Sequence, residues 1–272
     1  MTGAWRDSGE RLLLEGPARS REDHLNRLVH QATYAFALEH CAGKRVLDLG
    51  CGTGYGTFAI AEVADAVLGV DVCADSLAYA KTRFERGNLQ FQRVSDHGAL
   101  PFDEAAFEVV LSFQVLEHVD DPAAHLREIA RLLAPGGCLL LATPNREVRL
   151  FRYQRPWNRW HPREFDQRTL QRLLAPCFEP VTALMMGAEA RLVEPELARY
   201  RLIRWLTLPV TLPGLPDWYR VAGLEALRGL QRLARSGQTP GTFPGDVSDI
   251  RIAAGTQPGL NLVVIARRRM AG

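Results

Sequence analysis

The sequence predicts an α/β fold built on a doubly wound, mostly parallel, seven-stranded sheet with a helical insertion before the last strand. Short apolar runs alternate with amphipathic stretches about every 20 to 25 residues, the rhythm of strand–helix–strand units. The first apolar run, 46–49, stops at four alternate glycines, Gly50, Gly52, Gly54 and Gly56. The second, 67–71, ends in Asp71. Glycines at a strand-to-helix turn let backbone approach a ligand, and the N–H groups of the following helix favour polar or anionic groups. An acid after the second strand is placed to hold ribose hydroxyls.

The chain begins with a lead-in over 1–20 that has no clear period. Leu25, Leu28, Ala32, Ala35 and Phe36 recur at three- and four-residue steps and predict a helix over 21–40, packed on the sheet or closing over a cofactor. After the glycine turn a helix starts near Tyr55, another covers 75–86, and 89–94 alternates as a third strand. The fourth strand is 107–113. Pro122 suits the first turn of a helix whose stripe of Leu126, Ile129, Ala130 and Leu133 runs to Pro135-Gly136-Gly137. The fifth strand is 138–142. A short helix at 169–174 and a sixth strand at 180–186 follow. The seventh strand, 260–266, would pair with the sixth as an antiparallel edge hairpin.

The stretch between those last strands far exceeds a hairpin loop. It holds helices at 196–206 and 224–234 around a leucine- and proline-rich segment bounded by Trp205 and Trp218, then a Gly/Pro/Ser/Thr-rich loop at 237–259. The domain division is therefore 1–187 for the core with its N-terminal helix, 188–258 for a helical cap, and 259–272 for the last core strand and C-terminus. Charged residues make up 24% of the chain and its net charge is +2, with basic and acidic residues interspersed, so the chain shows no nucleic-acid-binding stripe. Five scattered cysteines form neither a zinc pattern nor a disulfide framework and suit a reducing cytoplasm. The N-terminus lacks the apolar core of a signal peptide, and no run of about 20 apolar residues exists to span a bilayer. The expectation is a cytoplasmic protein with no integral membrane association; the leucine-rich segment leaves peripheral contact open.

The stretch Asp48-Leu-Gly50-Cys-Gly52-Thr-Gly54 resembles motif I of the class I S-adenosylmethionine-dependent methyltransferases. A nicotinamide fold would want a glycine where Tyr55 stands. Leu116-Glu117-His118-Val119, Asp121-Pro122, Leu132-Leu133-Ala134-Pro135-Gly136-Gly137 and Thr143-Pro144-Asn145 are similar to a branch containing quinone O-methyltransferases and methyltransferases of polysaccharide clusters. Glu22-Asp23-His24-Leu25-Asn26-Arg27 is similar to an element ahead of motif I in the polysaccharide group. The resemblance implies S-adenosyl-L-methionine as cofactor, with contacts from Asp48, Gly50, Gly52, Asp71, Val72, Asp96, His97 and Phe113.

Methyl transfer is an in-line displacement that needs alignment and, for a hydroxyl acceptor, a proton acceptor. His118, after the fourth strand, is the first candidate for that base. His161 in His161-Pro-Arg-Glu164-Phe is similar to a His-x-x-Glu-Phe element of the branch and would orient the acceptor. Glu117, His118 and His161 also resemble part of a divalent-metal site in small-RNA 2′-O-methyltransferases, but Gln114 stands where a further carboxylate would be, so a metal-free base is preferred. His30, His40 and His125 read as surface or packing residues. Tyr153, Trp157 and Trp160 in the aromatic, arginine-rich stretch 146–165 would form the acceptor wall. The acceptor is expected to be a small molecule or glycan and the protein a monomer or homodimer. An RNA-directed methyltransferase and a catalytically silent cofactor-binding subunit are the alternatives.

Overall fold

A computed structural model describes residues 14–95, 98–179, 182–235, 242–256 and 259–269, with side chains described to residue 230 in the third of these segments. The sheet has eight strands: β1 (Arg45–Leu49), β2 (Ala66–Asp71), β3 (Leu89–Arg93), β4 (Phe107–Phe113), β5 (Leu133–Pro144), β6 (Thr182–Ala188), β7 (Ile250–Ala253) and β8 (Asn261–Arg267). Their order is β3-β2-β1-β4-β5-β8-β6-β7. Strands β1 to β5 are parallel neighbours, and β8 runs antiparallel between β5 and β6.

The helices are α1 (Arg21–Cys41), α2 (Tyr55–Ile60), α3 (Ala74–Arg83), α4 (Pro122–Leu132), α5 (Arg146–Arg149), α6 (Gln167–Leu174), α7 (Ala190–Thr211) and α8 (Asp217–Arg235). Their starts follow local chemistry. Ser20 caps α1 by accepting from Asp23 N–H, Asp121 caps α4 ahead of Pro122, and Asp166 caps α6 by accepting from Thr169 N–H. The period-2 alternation of the strands then divides the core. Val46, Val109, Leu111, Leu140 and Ala142 pack towards α1, whereas Leu47, Leu49, Val110, Leu139 and Leu141 pack towards α4 and α6.

Two expectations change. The run 260–266 does pair antiparallel with β6, but it is an interior strand, not an edge, because its consecutive apolar residues Leu262, Val263 and Val264 are buried between β5 and β6. The edge is β7, formed inside the stretch expected to be a flexible loop; its four residues alternate in burial and gain their backbone partners from β6. The segment 188–258 therefore supplies a sheet strand as well as two helices.

Candidate active site

The order of strands reverses between β1 and β4, which opens a crevice at the carboxyl edge of the sheet. A cavity of about 810 Å³ lies there, lined at the strand ends by Gly50, Asp71, Phe113 and Pro144. Beneath it the glycine turn is built as its sequence requires. Gly50, Gly52 and Gly54 have φ of +73°, +55° and +81°, a region in which a Cβ is strained. Gly56 serves differently: it sits in α2, and a Cβ there would lie 2.2 Å from the Tyr34 ring, so this glycine seats α1 on the turn.

Asp71 links the turn to β2. Its carboxylate accepts Gly52 N–H at 2.9 Å and Cys73 N–H at 2.8 Å. Each oxygen has a second lone pair, so the group can still accept ligand hydroxyls. No heavy atom lies within 4 Å of the position a Cβ would take on Gly52, which leaves room for a ligand against bare backbone. Val72, 44% exposed, and Phe113 complete this part of the lining. These features fit a ribose-bearing cofactor. Asp96 and His97 lie outside the described residues.

Asp48 is placed differently from the other motif residues. It is fully buried on the α1 face of β1, does not line the cavity, and accepts Thr57 O–H at 2.7 Å and Tyr34 O–H at 3.1 Å. Burial pushes its carboxyl up to about 6, against the pull of those two hydrogen bonds. The folded state thus keeps the proton to a higher pH than the unfolded chain, and stability is lost as pH rises from about 4 to about 6. The loss is on the order of 3 kcal/mol. An Asp48→Asn variant is expected to escape it, so the melting temperature of the variant minus that of the wild type should climb across this window; a constant difference would contradict the buried-acid reading.

Also lining the cavity, His118 and His161 meet edge to face with ring centroids 4.7 Å apart. Nδ1 of His118 lies 3.1 Å from the Trp160 carbonyl, which can only accept, so in the neutral form of the ring Nε2 carries the lone pair. Nδ1 of His161 lies 2.9 Å from Glu164, whose other oxygen accepts Arg149 Nε–H at 2.9 Å. Burial alone would raise the Glu164 carboxyl, but Arg149 and His161 outweigh it and hold it at about 2. Burial likewise pushes His161 down to about 4, against the upward pull of Glu164. His161 is therefore a neutral ring locked in one tautomer at neutral pH.

Glu117 is buried beside this pair and accepts Thr143 O–H at 2.9 Å; burial pushes its carboxyl up to about 8. One ligand atom from each of Glu117, His118 and His161 lies within 4.8 Å of the others, a spacing that could hold a cation. Gln114 lines the cavity at φ +56°, an uncommon conformation for a residue other than glycine.

Of the expected acceptor wall, Trp157 and Trp160 line the cavity, whereas Tyr153 does not. Tyr153 is 70% exposed, in a turn pinned on both sides of it by Arg146 donating to the carbonyls of Phe151, Arg152 and Gln154. Sequence reasoning missed three groups. His30, read as packing, lines the cavity from α1, with burial pushing its ring down to about 4. Arg199 and Tyr200 line it from α7, and Arg228 from α8. Glu164 was visible only as the fourth residue of His-x-x-Glu, without its link to Arg149.

Residues 47–141 match the methyltransferase-domain family. A protein described as a probable S-adenosylmethionine-dependent methyltransferase of Mycolicibacterium smegmatis is 36% identical over 167 residues, covering 61% of this chain and 62% of that protein. Residues 47–141 thus form a methyltransferase domain. S-adenosyl-L-methionine is the cofactor that this domain and that relative imply. A ubiquinone biosynthesis O-methyltransferase of Psychrobacter arcticus is 37% identical over 126 residues, 45% of this chain and 48% of that enzyme. This chain thus spans about half to three-fifths of the length of such relatives. The fold extends further than the sequence likeness. Crystal structures of the [4+2]-cyclase SpnF and of a methyltransferase from Thermotoga maritima each superpose with a TM-score of 0.58, at 22% and 16% identity. The first covers 94% of this chain and 86% of its own, the second 92% and 93%. No helix among the described residues is long and apolar enough to cross a membrane.

Proposed function

We propose that the chain moves a methyl group from S-adenosyl-L-methionine to a hydroxyl of a small molecule or glycan. The observation that carries this reading is one cavity lined both by Asp71 and the glycine turn and by the His118–His161 pair, backed by Glu164. When bound, the cofactor supplies an electrophilic methyl on a cationic sulfur. Asp71 accepts its ribose hydroxyls. Nε2 of His118 takes the proton of the acceptor hydroxyl, and His161, held by Glu164, orients that hydroxyl as a neutral hydrogen-bond acceptor. Trp157 and Trp160 present apolar faces to the rest of the acceptor, as the walls of ligand pockets commonly do.

An RNA acceptor suits the site less well, because most arginines of 146–163 are engaged within the protein. Arg149 pairs with Glu164, Arg155 with Asp217, Arg159 with Glu225, and Arg163 donates to the Asp120 carbonyl. A metal-assisted mechanism remains the rival for the proton step, since Glu117, His118 and His161 converge. The metal-free reading is preferred because Gln114 offers a neutral amide and Glu164 is committed to Arg149 and His161, leaving one carboxylate for a hard cation. The test is transfer of isotope-labelled methyl from the cofactor to a panel of phenols, sugars and an RNA, with and without chelator. Labelled phenol or sugar ethers formed equally in chelator support the proposal. Labelling of RNA alone, or activity abolished by chelator and restored by magnesium or manganese, overturns the corresponding part.

A further inference from the structure

We propose that the outward face of α7, with its turn into α8, docks the protein on an anionic lipid surface. The polarity of this helix half is the reverse of what water selects. Leu202, Trp205 and Leu206, spaced as one helical stripe, are 59%, 62% and 51% exposed. The opposite face buries hydroxyls instead. Thr207 and Thr211 are 6% and 0% exposed, and the Gln154 side-chain amide donates to their oxygens at 3.1 and 2.9 Å. The apolar surface continues along the chain through Leu212 at 45%, Trp218 at 71% and Tyr219 at 41% exposure.

Charge selects the occupant. From 197 to 216 the sequence has no Asp or Glu, while Arg201 is exposed and Arg204 half-buried on the same helix. Apolar and aromatic side chains interleaved with arginines match an interface where tails meet anionic headgroups, and the one carboxylate beside them, Asp217, is paired with Arg155. Tryptophan and tyrosine suit that boundary because each ring has an apolar body and a polar edge. The stripe is too short to span a bilayer, so the helix would lie on the surface. The face is also mechanically tied to the cavity. Trp205 packs on Phe151 at 4.7 Å, Gln154 fastens α7 to the loop carrying Trp157 and Trp160, and Tyr200 on the same helix lines the cavity. Docking would place the cavity beside the lipid, where an acceptor with an apolar tail resides. The docking itself does not depend on the methyl-transfer reading.

The test is co-sedimentation of the full chain with vesicles of phosphatidylglycerol and phosphatidylethanolamine, against phosphatidylcholine alone. The expected result is binding to the anionic vesicles, weakened severalfold by ~0.5 M salt. A Leu202→Gln/Leu206→Gln variant should bind at least tenfold more weakly, and Arg201→Glu severalfold more weakly, with wild-type circular dichroism in both. Arg201 is exposed, so its variant keeps the test usable if the double variant fails to fold. No binding to anionic vesicles, or equal binding by all variants, overturns the proposal. A concentration-dependent dimer that the same substitutions dissolve, with no vesicle binding, also overturns it and assigns the face to a second copy of the chain.

Discussion

A His118→Ala variant is expected to lose roughly a hundredfold or more in turnover on the acceptor identified by the labelling assay, with cofactor affinity nearly unchanged. The ring follows β4 whereas Asp71 ends β2, with β1 between these strands, so its removal should cost little cofactor binding. His161→Ala should also lower turnover more than tenfold, but by a different route. The buried Glu164 would lose its imidazole partner and keep Arg149 alone, so the loop carrying Trp157 and Trp160 should loosen and KM should rise as well. His161→Gln retains a hydrogen-bonding side chain and should recover part of KM. Full activity in both alanine variants would remove the base assignment. Loss in the His161 variant alone would move the proton step away from His118.

Asp71→Ala is expected to weaken binding of S-adenosyl-L-methionine or its demethylated product by about 10- to 150-fold in calorimetry, the range for losing a charged hydrogen-bond acceptor. The upper end is favoured by the local structure. Asp71 holds Gly52 N–H and Cys73 N–H as well as facing the cavity, so the substitution frees two backbone donors and slackens the glycine turn. Unfolding should stay cooperative, since Asp71 sits at the sheet edge and the packed core lies behind it. Unchanged affinity would place the ribose elsewhere and undo the motif assignment.

Much of the fold was legible because its signals are local. Strand β4 carries the apolar run Val109-Val110-Leu111 between two phenylalanines, α4 starts at an Asp-Pro cap, and glycine is the residue that tolerates the φ angles of the first turn. Strand β7 was not legible. Four residues with weak alternation carry little information until a neighbour's backbone supplies their hydrogen bonds. The placement of β8 inside the sheet was equally hidden, because a run of apolar residues states that a strand is buried but not between which partners.

The site divides along the same line. Asp71, the glycine turn, the Glu117-His118 pair and the His-x-x-Glu spacing could be found in the sequence because each is contiguous and chemically distinctive. That Asp48 faces Tyr34 and Thr57 and not the cavity depends on which face of β1 is covered by α1. That Arg149 neutralises Glu164 and thereby fixes His161, and that His30, Tyr200 and Arg228 share one cavity, depends on elements far apart in the chain folding over one sheet edge. The sequence alone therefore determined the α/β class and singled out the glycine turn and His118 as candidates, since backbone conformation and side-chain chemistry are set within a few residues. Only the tertiary structure decided which side chains are buried, paired or facing the cavity, since burial and pairing are properties of the contacts between distant segments.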